Sequence, residues 1–360
     1  MIHVVIGTKA QLIKMAPILA ELKQRNIDFN YISTGQHKDT MLEIIDCFDI
    51  KTPDYHLYQG NDITSVVKML FWSLRIIGHS LFHKKAIFQN DNDGIVLVHG
   101  DTFSTLLGAI IAKLNGLKVG HVESGLRSFH LFHPFPEELT RLLVFRLTDI
   151  FFCPDSVAMR NIKKYKGLKI NTGANTLRDA LNIALPKIKQ IDVDIPDQPF
   201  AIATLHRFEN ISNVQALTRI INIIEKISES IDVLFILHKP TLLKLQKFAL
   251  YERLKNNKRI ECRPRYDYFH FVKLMLGSEF IISDGGSNQE ECAYLGKPIL
   301  LLRKASERQE GLGKNCLISE YDMDKINAFV SDYSSYQQQS TPLMQQKPTS
   351  LIIDTCQPFS

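Results

Sequence analysis

Residues 94–102 read GIVLVHGDT, an apolar run that ends in the turn Gly100-Asp101. The run has the length and the β-branched content of a buried strand, and apolar residues follow at helical spacing through Leu106–Leu114. A strand, a polar turn and a helix make up half of a βαβ unit. The stretch therefore predicts a parallel sheet whose strands end in polar residues.

The same order of strand, polar signature and helix recurs along the chain. The predicted strands of the first half are Ile2–Ile6, Tyr31–Ser33, Gly94–His99, Lys118–Val122 and Ile150–Cys153. Those of the second half are Phe200–Thr204, Val233–Leu237, Arg259–Glu261, Phe280–Ser283 and Pro298–Leu302. Strands that alternate with helices indicate parallel α/β sheets. We predict two Rossmann-like, doubly wound domains that face a cleft, in a GT-B-like arrangement.

A change in composition separates the two halves. Residues 183–199 carry three prolines and alternating charge, which is typical of a linker. We predict an N-terminal domain over residues 1–182, a C-terminal domain over 183–340 and a terminal segment over 341–360.

Bulk composition limits the classes of function. The chain has 360 residues, a net charge of +5 and six cysteines without a CxxC pair. Such cysteines are typical of reduced thiols in a cytoplasmic protein. The sequence contains no concentrated basic stripe of the kind that nucleic-acid-binding proteins carry, so nucleic-acid binding is not predicted. The most apolar stretch, Val66–Phe82, contains Lys68 and Arg75 and is too short and too charged for membrane insertion.

Polar signatures at the carboxyl ends of parallel strands predict one ligand site, because ligands of open α/β sheets bind there. Six signatures stand at or near such positions. They are GTKAQLIKMAP (Gly7–Pro17), VHGDT (Val98–Thr102), HVESGLR (His121–Arg127), HPFPEELTR (His133–Arg141), LHRFEN (Leu205–Asn210) and SDGGSNQEE (Ser283–Glu291).

Gly285, Gly286 and Ser287 form a candidate phosphate cradle. Glycines let backbone N–H groups approach a ligand, and the start of a helix favours an anion. Glu290 and Glu291 are expected in the first turn of that helix, where a carboxylate could accept hydrogen bonds from ribose hydroxyls. The alternative interpretation is an ordinary glycine turn with capping acids.

Four cations are candidates for contacts with a diphosphate. They are Lys9, Lys14, Arg141 and Arg308. Their placement near strand ends supports a role in binding, whereas most lysines and arginines are exposed surface cations.

Asp101, Glu123 and Glu137 are acids near strand ends, and His206 follows a strand in the second half. Crowded carboxylates raise one another's pKa, which suits proton abstraction and return. Two alternatives stay open. Asp101 could simply cap the following helix, or His99, Asp101, His121 and Glu123 could together bind a metal ion.

These signatures resemble those of the non-hydrolysing UDP-N-acetylglucosamine 2-epimerase family. The resemblance covers nearly the whole chain, and the motifs occur in the family's order and approximate spacing. They are TGQH (Thr34–His37), HGDT, HVESGLR, PFPEE-x-x-R, TGANTLRDAL, HRFEN, SDGGSNQEE and ERQE. No single motif is specific, but the set is.

The resemblance implies an isomerase that inverts C2 of UDP-GlcNAc to give UDP-ManNAc. UDP is eliminated, a glycal intermediate stays bound, and UDP re-adds after the proton returns. The resemblance also implies a homodimer, a carboxyl-terminal helix that returns to the first domain, and no need for a metal or redox cofactor.

Individual roles follow from the motifs. The resemblance implies acid–base and sugar-handling roles for Asp101, Glu123, Glu137 and His206. It implies cationic ligand contacts for Lys14, Arg141 and Arg308, and phosphate and ribose contacts for Gly286 and Glu291.

Three departures from the family pattern bear on the substrate and outcome. GTKAQ replaces GTRPE, so Lys9 stands for an arginine and Gln11 for a glutamate. SDGGS replaces SDSGG, and TGANT has one residue more than TGNT. Alternatives to a non-hydrolysing epimerase are a hydrolysing 2-epimerase that releases ManNAc and UDP, a GT-B glycosyltransferase, and a nucleotide-sugar-binding regulator without activity.

Overall fold

A computed structural model describes residues 1–36, 41–60, 63, 66–130, 136–341 and 347–359, with the backbone alone for 66–68 and 208. The chain divides into two compact units. The first comprises Met1–Ile183 with Met344–Ser360, and the second comprises Ala184–Leu343.

The first unit is built on a seven-stranded parallel sheet. In chain order its strands are β1 (Ile2–Ile6), β2 (Phe29–Ser33), β3 (Tyr55–His56), β4 (Ile95–His99), β5 (Lys118–Val122), β6 (Ile150–Cys153) and β7 (Leu168–Asn171). Their spatial order is β3-β2-β1-β4-β5-β6-β7, so the direction of winding reverses between β1 and β4. Ligands of doubly wound sheets bind at such a switch point.

Helices connect these strands. They are α1 (Lys9–Gln24), α2 (Met41–Phe48), α3 (Val66–Phe82), α4 (Lys84–Ile87), α5 (Phe103–Leu114), α6 (Glu137–Leu147), α7 (Ser156–Asn161) and α8 (Leu177–Lys187). The connections β1–α1–β2 and β4–α5–β5 run in opposite directions from the switch point. Because such crossovers are right-handed, α1 and α5 lie on different faces of the sheet.

The second unit repeats the architecture with six parallel strands. They are β8 (Phe200–Leu205), β9 (Asp232–Leu237), β10 (Ile260–Pro264), β11 (Ile281–Ser283), β12 (Ile299–Leu301) and β13 (Cys316–Ile318). The order β10-β9-β8-β11-β12-β13 places the switch point between β8 and β11. The predicted fold class, two Rossmann-like parallel α/β sheets, is confirmed.

The remaining helices follow in chain order. They are α9 (Phe208–Ile211), α10 (Val214–Ser228), α11 (Lys239–Lys247), α12 (Tyr251–Lys255), α13 (Tyr268–Gly277), α14 (Gly286–Leu295), α15 (Met323–Ser331) and α16 (Pro348–Cys356), with 3₁₀ segments at Ile188–Gln190, Tyr333–Tyr336 and Gln357–Phe359. Helix α16 packs against α1 in the first unit, and the backbone N–H of Thr349 donates to Asp179 at 2.9 Å. No helix among the described residues combines the length and the apolar character needed to cross a lipid bilayer.

The central strands explain why the sheets are buried on both faces. All five residues of β1 and of β4 are buried, as are all six of β8. Continuous apolar runs of this kind are typical of parallel sheets covered by helices. Helix starts are fixed by side-chain caps, among them Thr8, Thr102 and Asn213.

Three strands are absent from the sequence prediction. Strand β3 has two residues, and β7 and β13 carry mixed rather than continuously buried residues. Each lies at one end of its sheet, apart from the run of central strands. Edge strands need not be apolar on both faces, so their pattern is weak. Helix α8 also extends to Lys187, inside the segment predicted as a linker.

Gln11 fastens the start of α1 to the neighbouring strand β4. Its Oε1 accepts from the N–H groups of Gly7 and Thr8 at 3.0 and 3.1 Å. Its Nε2 donates to the carbonyl of His99 at 2.8 Å and to Thr105 Oγ1 at 2.9 Å. The side chain is 2% exposed, so each of these hydrogen bonds replaces one to water.

Gln11→Glu should lower the free energy of unfolding by about 1–3 kcal/mol, the cost of leaving a buried polar group unsatisfied. The carboxylate keeps the oxygen that caps Gly7 and Thr8, but it places a second oxygen against the carbonyl of His99. Urea denaturation checks this prediction. Gln24→Glu, at the exposed end of the same helix, is the control and should change stability by no more than about 0.5 kcal/mol. Equal stability of Gln11→Glu and the parent would contradict the assigned bonds.

Candidate functional site

Glu123 is the first residue after β5 and forms a buried ion pair. It is 8% exposed, and its φ of +59° is a left-handed conformation that is unusual outside glycine. Lys14, 3% exposed, donates to Glu123 Oε2, as does Asn175 Nδ2. The alternative that Lys14 is an exposed surface cation is wrong, because α1 brings it to the acid that follows β5.

Asp101, in the turn after β4, pairs with Arg141 of α6. Arg141 is 4% exposed and also contacts Glu138 Oε2 at 3.2 Å. The alternative that Asp101 caps α5 is wrong: Thr102 is the cap and accepts from the N–H of Thr105. The guanidinium thus joins an acid on a strand end to an acid on a helix.

Glu138 is a carboxylate held charged in the interior. Burial by itself would raise its pKa, but the N–H of Ser128 and the guanidinium groups of Arg127 and Arg141 lower it below its usual value. Ser128 donates to Glu138 Oε2 through its N–H at 3.0 Å and through its hydroxyl at 3.1 Å. This anion fixes Arg141 in place.

Two neutral histidines lie between these ion pairs. Burial lowers the pKa of both His99 and His121 to about 4. His99 Nε2 is 3.9 Å from Glu123 Oε2, and His121 Nε2 lies 2.8 Å from the carbonyl of Gly100. Among the described residues, no cluster of three or more His, Cys, Asp or Glu side chains is arranged to hold a metal ion.

The other predicted residues of the first unit start helices. Lys9 is the first residue of α1 and is half-buried, and Glu137 is the first residue of α6 and is partly buried. His37 of TGQH and residues 133–135 of HPFPEELTR lie outside the described residues.

In the second unit, two glycines allow close packing at the switch point. A Cβ on Gly285 would lie 2.8 Å from His206 Cε1, and a Cβ on Gly286 would lie 2.7 Å from Arg308 Nε. Neither glycine has a positive φ, so space rather than backbone conformation requires them. His206, which follows β8, and Arg308 therefore both border the start of α14, with Ser287 at its second position.

Helix α14 begins at Gly286, directly after the turn residue Gly285. Glu290 and Glu291 accordingly lie in its second turn, and the prediction that they occupy the first turn is wrong. Glu290 is fully buried and pairs with Arg308, while Glu291 accepts from Asn288 Nδ2 at 3.0 Å. The first turn of a helix leaves N–H groups without carbonyl partners, which suits an anion.

Sequence reasoning missed several residues that hold these groups. Asn175, which reaches Glu123, follows the unassigned strand β7, so recognising that strand would have singled it out. Glu138 lies next to a predicted acid, and Glu307 was quoted only within ERQE. Glu307 accepts from Arg303 at 2.8 Å and from Arg207 at 3.2 Å, and these cations with Arg308 lower its pKa against the effect of burial.

The two units define a class of protein. Each is a doubly wound sheet with its chemistry at strand ends; one presents buried acid–cation pairs and the other a glycine-lined helix start beside an arginine. These features define an α/β protein of the doubly wound class whose strand ends suit an anionic ligand.

The chain belongs to the UDP-N-acetylglucosamine 2-epimerase family, whose model matches residues 20–355. A UDP-N-acetylglucosamine 2-epimerase of Methanococcus maripaludis is 33% identical in an alignment 328 residues long that covers 87% of this chain and 86% of that protein. The family resemblance inferred from the motifs is confirmed.

Solved structures agree with this assignment. The UDP-GlcNAc 2-epimerase of Methanocaldococcus jannaschii in complex with UDP-GlcNAc and UDP matches with a TM-score of 0.85 and 26% identity, covering 99% of both chains. That of Neisseria meningitidis bound to UDP-GlcNAc matches with a TM-score of 0.86 and 28% identity, again covering 99% of both.

The buried histidines predict a loss of stability in mild acid. In the unfolded chain a histidine has a pKa of about 6.5, whereas His99 and His121 in the folded chain have values of about 4. Between these values the unfolded chain binds the additional protons, so the free energy of unfolding decreases as pH falls from about 6.5 to about 4. Each histidine contributes up to about 3 kcal/mol to this decrease.

Urea denaturation at a series of pH values measures the effect, and His121→Gln isolates one histidine. Burial also lowers the pKa of His3 and His79, which act alike in both proteins. The variant should lose less stability over this pH interval than the parent, by up to about 3 kcal/mol. An identical pH dependence of the two proteins would mean that His121 is not held neutral.

Proposed function

We propose that the protein interconverts UDP-GlcNAc and UDP-ManNAc, or a related pair of UDP-2-acetamido sugars, by the non-hydrolysing route. In this reaction UDP leaves C1, a glycal stays bound, and UDP re-adds after a proton has returned to C2. The observation that carries the proposal is a pair of acid–cation contacts at the ends of adjacent strands: Lys14–Glu123, which is buried, and Asp101–Arg141, which is partly buried. Such groups suit a reaction that moves both a proton and an anion.

The proton at C2 is hardly acidic, so the bond between C1 and the UDP oxygen must largely break first. Positive charge then develops at the anomeric centre, and carboxylates close to it stabilise that charge. We assign this stabilisation and the proton transfers to Asp101, Glu123 and Glu137. Keeping the glycal and UDP bound together makes the return step effectively unimolecular.

The second unit is proposed to hold UDP. The start of α14 offers N–H groups of residues 286–288 to the diphosphate, and Arg308, held by Glu290, adds positive charge next to them. Glu291 is proposed to accept a ribose hydroxyl, and His206 to contact the reacting part of the substrate. The ligands of the Methanocaldococcus and Neisseria structures, UDP-GlcNAc and UDP, support the substrate class.

The departures from the family motifs are compatible with this reaction. Gln11 acts in the described contacts as a cap for α1 and a bridge to β4, a structural role. The additional residue in TGANT leaves Asn175 in contact with Glu123. Lys9 keeps a positive charge at the start of α1, although lysine lacks the bidentate fork of arginine.

The homodimer is also part of the proposal. Helix α3 exposes a row of large apolar side chains, each between 52% and 87% exposed. They are Leu70, Phe71, Leu74, Leu81 and Phe82. Rows of exposed apolar residues on this scale are characteristic of protein interfaces, and burial in a second copy would remove them from water. Trp72 and Ile76 of the same helix point inward and are buried.

Incubation with UDP-GlcNAc in D2O, followed by proton NMR, tests the reaction. We expect deuterium at C2 of intact UDP-GlcNAc and UDP-ManNAc, because the abstracted proton exchanges with solvent before it returns. Accumulation of free ManNAc and UDP would instead identify a hydrolysing epimerase. Intact sugar without deuterium would refute epimerisation of this substrate.

Glu123→Gln and Glu137→Gln should each reduce the rate of deuterium incorporation by about 10²-fold or more, the usual scale for acid–base groups. Affinity for UDP should change little. Glu43→Gln, an exposed acid of the same unit, is the matched control. Circular dichroism establishes folding, since Glu123→Gln leaves Lys14 without its anion.

Gly286→Val should weaken UDP binding by about 10-fold or more, equivalent to about 1.4 kcal/mol. A Cβ at this position approaches within 2.7 Å of Arg308 Nε, so the side chain must displace the arginine or block the helix start. Calorimetric titration with UDP measures the affinity. Ala328→Val, which adds the same branched side chain at an exposed position of α15 in the second unit, should bind UDP like the parent. Unchanged affinity of Gly286→Val would exclude this turn as the phosphate site.

A further inference from the structure

Asp284 is a buried carboxylate that the proposed reaction leaves without a role. It follows β11, directly before Gly285, and is 0% exposed. The N–H of His206 donates to its Oδ1 at 3.1 Å, and the N–H of Arg207 donates to its Oδ2 at 3.0 Å. Its charge is thus met chiefly by backbone N–H groups at the switch point between β8 and β11.

The orientation of the carboxylate is fixed by Asn210. Tyr321 Oη donates to Asn210 Oδ1 at 2.7 Å, so the amide nitrogen of Asn210 must point the other way. Asn210 Nδ2 then donates to Asp284 Oδ2 at 3.0 Å and to the carbonyl of Leu302 at 3.1 Å. Oδ2 thus accepts from Asn210 and Arg207, whereas Oδ1 faces His206, whose N–H lies 3.1 Å from Oδ1 and 3.3 Å from Oδ2.

His206 presents Nδ1 to this oxygen. The distance from Nδ1 to Asp284 Oδ1 is 3.5 Å, and the side chain of His206 is 44% exposed. The ring lies 5.1 Å from that of His238, and its Cε1 edge borders Gly285. A carboxylate at this distance favours a proton on Nδ1 and disfavours a lone pair there.

We propose that Asp284 is the positioning residue of His206. It holds the loop after β8 through the backbone and keeps the neutral ring in the tautomer that carries hydrogen on Nδ1. Nε2 is thereby the nitrogen that carries the lone pair. This assignment rests on the proposed epimerase reaction. At the substrate, Nε2 of His206 then accepts a proton or a hydrogen bond, as in other histidines oriented by a carboxylate.

The tautomer is measured directly by proton–nitrogen correlation NMR of the full chain labelled with ¹⁵N-histidine. The spectrum is recorded at about pH 8, above the ordinary histidine pKa of about 6.5, and His206→Gln identifies the signals. We expect a protonated Nδ1 and an unprotonated Nε2 in the parent. A parent spectrum with hydrogen on Nε2 would overturn the proposal, whatever the variants do.

Asp284→Asn supplies the second arm. Two donors, Asn210 Nδ2 and the N–H of Arg207, meet at Oδ2, against the single N–H of His206 at Oδ1. The new amide oxygen should therefore take the position of Oδ2, and its NH₂ group should face the ring of His206. We expect the ring to shift towards the Nε2–H tautomer. Asp267→Asn is the matched control, since Asp267 lies 2.5 Å from His270 Nδ1 and should leave the His206 signals unchanged. An unaltered His206 tautomer in folded Asp284→Asn would refute the assignment.

Turnover separates this inference from the proposed function. Asp284→Asn should lower kcat by about 10-fold or more with little change in KM, and combining it with His206→Gln should cause no further loss beyond His206→Gln alone. Additive losses would mean that Asp284 acts independently of His206. If the parent has no epimerase activity but shows the expected tautomer, the proposed function fails and the positioning of His206 stands.

Discussion

Neutralisation of buried carboxylates at strand ends is the constraint on which both units depend. A carboxylate taken out of water must gain a partner or lose its charge. Parallel sheets gather their loops at one edge, and the loops of this chain carry acids there: Glu123 and Asp284, which are buried, and Asp101, which is partly buried. Each needs a partner supplied by a different segment, so the placement of helices and loops is tied to the placement of these acids.

The two units meet this constraint differently. In the first, α1 brings Lys14 to Glu123 and α6 brings Arg141 to Asp101. In the second, backbone N–H groups and Asn210 serve Asp284. Removing one partner of a buried ion pair costs about 3–5 kcal/mol. The backbone N–H donors of Asp284, in contrast, are present whatever side chains residues 206 and 207 carry. Variants of Lys14 and Arg141 will therefore affect stability as well as ligand binding.

The central part of the fold could be predicted from sequence because β1, β4, β5, β8 and β11 are apolar on both faces and are each followed by a polar signature. Strands β3, β7 and β13 could not, since edge strands lack that continuous pattern. Among site residues, position near a strand end could be predicted, but pairing could not. Nothing in the local sequence of Lys14 indicates that a residue more than a hundred positions later, Glu123, would be its partner.

Gln11 illustrates why a departure from a motif need not be a departure in function. The amide oxygen at this position accepts hydrogen bonds from two backbone N–H groups, and the amide nitrogen donates one to a carbonyl. A carboxylate offers the first contact and not the second. The residue type is thus set by the carbonyl of His99 across the switch point, and the contact joins the start of α1 to the end of β4, next to the loops that carry Asp101 and Glu123. Lys9, by contrast, begins the helix with a half-buried side chain, and we propose that this change in GTKAQ, rather than the change at Gln11, bears on ligand recognition.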